Sequence, residues 1–92
     1  MKSKQRSEMN KKIRTLTNVY EDAFINIDIG VFSGLVIVQS KNEDYRKIHR
    51  AIIEIEDYIQ DTLDANVMIS AILVKFPKEA QEIRFEIYFT HD

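Results

Sequence analysis

The sequence predicts a single mixed α/β domain of the α+β type. Its expected order is α-β-β-α-β-β: a four-stranded mixed or antiparallel sheet, a long helix on one face and an N-terminal helix. Three observations lead there. Apolar residues recur at helical spacing in two segments, they alternate or run continuously in four others, and the only glycines and the only proline lie near or between the ends of these segments.

Residues 1–6 read as a flexible basic tail, and the domain proper as residues 7–92. In the first helix, Met9, Ile13, Leu16, Tyr20 and Ala23 follow one another at steps of four or three, a narrow apolar stripe. Ser7 is a plausible N-cap, which places this helix over Ser7 to Asp22.

Next, Ile25, Ile27 and Ile29 alternate with Asn26 and Asp28, the pattern of a half-buried strand over Phe24 to Val31. Leu35 to Gln39 is apolar on both faces and reads as its hairpin partner. Gly34 is expected to supply a positive φ at the turn.

The second helix is expected over Asn42 to Ala65. Ser40 and Glu43 have the spacing of a capping box, Asn42 is a competing N-cap, and Asn66 suits a left-handed closing residue. Its core stripe is Tyr45, Ile48, Ile52, Ile55, Ile59 and Leu63.

The third strand, "VMISAILVKF", is apolar on both faces and ends at Pro77. The polar connector "PKEAQE" leads to "IRFEIYFT", where Ile83, Phe85, Ile87 and Phe89 alternate with polar or amphipathic residues. One-sided strands suit edges and two-sided strands suit the middle of a sheet. The expected order is therefore 1-2-3-4, with strands 2 and 3 as parallel neighbours across the helix; the order 2-1-4-3 is the rival. Two-sided strands also require cover on both faces, from helix 2 on one and from helix 1 or a second copy on the other.

Composition narrows the function classes. The chain has 92 residues and a formal net charge of −2. It can bury one modest core, and association would supplement it. With no cysteine, disulfides, thiolate catalysis and Cys-ligated zinc are all removed. No apolar run has the length of a membrane span, and a cytoplasmic location without membrane partners is expected. Residues 1–14 hold six Lys/Arg against one acid, or +5; the remainder hold seven against fourteen, or −7.

The inventory for catalysis is thin. His49 and His91 are the only histidines, no serine sits in a nucleophile-elbow motif, and the phosphate-loop glycine patterns are missing. The expectation is a non-enzyme with no catalytic residue, cofactor or metal site. For nucleic acid, Tyr88 beside Arg84 is the one aromatic on a clearly polar face.

The outer face of helix 2 carries the most informative pattern. Its basic residues Arg46, Lys47 and Arg50 come early and its acids Asp57, Asp61 and Asp64 come late, opposite to the preference of the helix dipole. Ile53 stands alone between them. Two such helices packed antiparallel about Ile53 would pair basic with acidic halves. Arg46, Arg50, Ile53, Asp57, Asp61 and Asp64 are therefore the expected protein interface. The functional expectation is a small non-catalytic interaction or regulatory module, self-associating as a homodimer or binding a protein partner. One alternative is accessory nucleic-acid binding through Lys2, Lys4, Arg6, Lys11, Lys12 and Arg14. Another is an acidic inhibitor or immunity-type protein.

Overall fold

In a computed structural model of the chain, residues 1–18, 23–41, 45–74 and 81–91 are described. Two helices and four strands follow the expected order: α1 Ser3–Thr17, β1 Phe24–Ile29, β2 Ser33–Lys41, α2 Tyr45–Leu63, β3 Asn66–Val74 and β4 Glu82–Thr90. All strand pairings are antiparallel, and the sheet order is β1-β2-β4-β3.

That order corrects both sequence-based arrangements. Strands β2 and β3 do run parallel across α2, but β4 is inserted between them. The reason lies in how the sheet is covered. α1 packs on α2 and β1, and α2 packs on β2, β3 and β4. Met9 and Ile13 of α1 join the same core as Ile48, Ile52, Ile55 and Ile59 of α2. Both helices therefore lie on one face, and the opposite face meets solvent. A strand with one polar face suits the centre of such a sheet. β4 is buried at Ile83, Phe85, Ile87 and Phe89, while Arg84 and Glu86 pair at 2.9 Å on its outward face. Gln39 of β2 donates to Glu82 on that same face at 2.9 Å.

Several local expectations change as well. α1 begins at Ser3, so Ser7 lies inside the helix and residues 3–6 extend it instead of forming a tail. Ser-Lys-Gln-Arg contains good helix formers, and no glycine or proline interrupts it. The N-cap position is Lys2, without a side-chain cap. Ser40 is a buried β2 residue opposite Ile83 and not a helix cap; the other capping candidates, Asn42 and Glu43, lie outside the described residues. Asp64, not Asn66, takes the left-handed conformation after α2, with φ 51°, and Asn66 opens β3. Asp tolerates this region better than most residues because its short polar side chain bonds locally.

Gly34 has no positive φ. It lies within β2, directly opposite Phe89. A Cβ added there would overlap the Phe89 ring. The glycine is thus required for space: it lets a fully buried aromatic ring lie flat on the strand beside it.

Gly34→Ala is expected to destabilise the fold by about 1–3 kcal/mol through overpacking. Phe89→Leu in the same chain should recover part of that loss. Urea unfolding of the two single variants and the double variant checks this; equal and additive losses would contradict it.

Candidate functional site at the open sheet edge

β3 combines features that edge strands usually avoid. Its nine residues, "NVMISAILV", contain no charge, proline or glycine. The register with β4 assigns its faces. Val67, Ile69, Ala71 and Leu73 lie beside Phe89, Ile87, Phe85 and Ile83 on the helix-covered face. Met68, Ser70 and Ile72 lie beside Tyr88, Glu86 and Arg84 on the open face. Only Val67 joins the margin of the core. Met68 is 70% exposed, Ile72 45%, Leu73 46% and Ile69 38%. The strand is therefore apolar on both faces, exposed on both, and unpaired along its outer edge among the described residues.

The opposite edge differs. β1 has six residues, carries exposed Asn26 and Asp28, and is flanked by α1. Charge, short length and cover by another element are the ordinary protections of a sheet edge. β1 has all three. β3 is long and uncharged, and although α2 packs on it, Ile69, Ala71 and Leu73 on that face stay exposed.

α2 borders the β3 side. The rings of Tyr45 and His49 stack with centroids 5.6 Å apart, and both lie against Phe85, at 5.9 and 6.3 Å. His49 is thus an exposed ring supported from below, with the aromatic neighbours of a packing residue. Ile53, one turn further along the same flank, is 43% exposed. Arg46, Arg50, Asp57, Asp61 and Asp64 are all exposed, and no ion pair joins them to one another. Within α2 the first turn holds no acid and the last turn no base. Glu43 and Asp44, the acids that precede α2 in the sequence, lie outside the described residues.

The basic residues expected of an arm mostly belong to α1. Lys4, Lys11, Lys12 and Arg14 are exposed on the helix, and Lys2 is exposed at its N-cap. Arg6, Ser7, Asn10, Lys11 and Arg14 line a groove of about 420 Å³ that reaches Ile29 at the end of β1. Arg14 Nε donates to Asn10 Oδ1 at 2.8 Å, while Arg6 Nε is buried without a hydrogen-bond partner among the described residues.

Among the described residues, no three His, Asp or Glu side chains converge as metal ligands would, and no helix is long and apolar enough to cross a membrane. The sequence pattern directs attention to the α2 face and not to β3, whose Met68, Ile69, Ser70, Ile72 and Leu73 are all exposed. The signal is nine uncharged residues in a row, a pattern that a buried central strand also shows. β4 is paired on both sides and offers no free edge for association. No known family model, curated protein or solved structure matches the chain.

Proposed function

We propose that the protein is a non-catalytic interaction module that associates through the β3 edge. The carrying observation is that edge itself: nine uncharged residues, exposed on both faces, beside a sheet whose other edge is protected. An unpaired edge offers a row of backbone donors and acceptors, and a strand added to it gains main-chain hydrogen bonds and pockets for alternate side chains. The partner it suits is an extended, apolar, uncharged strand. The chain itself supplies one, so self-association follows directly.

Ile72→Lys is expected to abolish association without unfolding the monomer. A lysine on an exposed edge strand is a common natural block to pairing. Sedimentation velocity over a concentration series should show the native protein growing in mass and the variant remaining at monomer mass. Far-UV circular dichroism should be the same for both. A native protein that stays monomeric throughout the series would contradict self-association.

A second reading has its own observation. The α1 groove gathers Arg6, Lys11 and Arg14 around an unpartnered guanidinium nitrogen, which suits an anionic ligand such as a nucleic-acid backbone. On this reading, gel mobility of a single-stranded oligonucleotide should shift at low salt. Arg6→Gln with Lys11→Gln should remove the shift. A shift that persists in that double variant would dissociate binding from the groove.

A further inference from the structure

We infer that the protein forms a two-fold dimer in which β3 pairs antiparallel with β3 of a second copy, centred on Ser70. This rests on the self-association reading and adds the register, the axis and the contribution of α2.

The register follows from the strand. Ser70 is the central residue of β3. Pairing it with its own copy uses the full strand, Asn66 opposite Val74 included. Ile69 then faces Ala71, Met68 faces Ile72, and Val67 faces Leu73. Every interior apolar residue meets an apolar one, and the single interior hydroxyl meets itself at the axis. Moving the centre to Ile69 would leave Leu73 and Val74 unpaired and set Ser70 against Met68. Moving it to Ala71 would leave Asn66 and Val67 unpaired. The centred register allows about eight to ten backbone hydrogen bonds, depending on whether Ser70 sits in a hydrogen-bonded pair.

An independent observation meets the same axis. Directly opposed residues in an antiparallel pair point to the same side, so this register puts both α2 helices on one face of a continuous sheet. His49 lies against Phe85, whose β3 partner is Ala71. Ile53 is one turn further along, about 6 Å, which corresponds to about two strand residues. α2 runs opposite to β3, so Ile53 stands at the height of Ile69, beside the axis. The two-fold then turns the Ile53 flanks of both helices toward each other. Exposed Arg46 and Arg50 on one helix lie on the side of exposed Asp57, Asp61 and Asp64 on the other. The reversed charge order of α2 is complementary to itself about the axis that β3 defines. Isologous contacts require this self-complementarity.

The open face of the sheet is a poorer surface for a second copy. Its centre is occupied by the Arg84–Glu86 pair and the Gln39–Glu82 hydrogen bond. Burying those groups against a copy of themselves would cost desolvation without new partners.

The chain has no cysteine, so single introduced thiols report the axis directly. Under mild oxidation Ser70→Cys should form a disulfide-linked dimer on a non-reducing gel, because opposed residues of antiparallel strands fall within disulfide range. Met68→Cys and Ile72→Cys should each remain unlinked alone and should cross-link when mixed. Asp28→Cys, on the other edge, should remain unlinked. Ile53→Arg should weaken the dimer roughly tenfold or more in sedimentation equilibrium. If the native protein dimerises but Ser70→Cys and the Met68→Cys/Ile72→Cys mixture stay unlinked, this geometry is wrong while self-association stands. If the native protein is monomeric, both fail.

Discussion

The structure depends on the place of β4 between β2 and β3. β4 pairs on one side with β2, which precedes α2, and on the other with β3, which follows α2, and so joins the two halves of the chain in one sheet. Its inward residues Ile83, Phe85, Ile87 and Phe89 carry the weight of the core beneath α2. Gly34 permits the tightest of these contacts by leaving room for the Phe89 ring. Because both helices cover the same face, the polar residues of β4 can stay in the middle of the sheet and remain in water. The same arrangement forces β3 outward.

This explains which parts of the fold were legible in the sequence. The stripe of isoleucines in α2 and the alternation in β4 each follow from local periodicity, and both elements form where that periodicity predicts. The strand order does not follow from local pattern. It depends on how many faces of the sheet are covered, and Met9 and Ile13 do not reveal which face α1 will choose. The apolar character of "NVMISAILV" was equally visible, but burial by this chain and burial by another chain leave the same mark on a sequence. Gly34 shows the same limit on a smaller scale. A glycine near a turn suggests backbone freedom, while its actual constraint is a ring from a strand far along the chain.

The candidate surfaces are separated by the width of the sheet. α1 and its basic residues flank β1 at one edge, and the uncharged strand lies at the other. A dimer through β3 would therefore leave the two α1 helices at opposite ends of an eight-stranded sheet, roughly 30 Å or more apart. The acidic half of each α2 would lie near the middle, so positive charge would mark the ends of the assembly. Association and anion binding could then proceed without competing for surface.

The position of β4 also fixes an order of events during folding. The β1–β2 pair, the β2–α2 segment and the β3–β4 pair can each form from residues close in sequence, but the β2–β4 pairing that unites them cannot. Pairing such as Val36 with Ile87 closes a long loop, and that entropy must be overcome before the contact stabilises anything. Until then β4 exposes an unpaired edge in addition to that of β3. The interval before β4 inserts is the stage at which this chain is most prone to pair with the wrong strand, its own copies included, so conditions that shorten it should favour soluble protein.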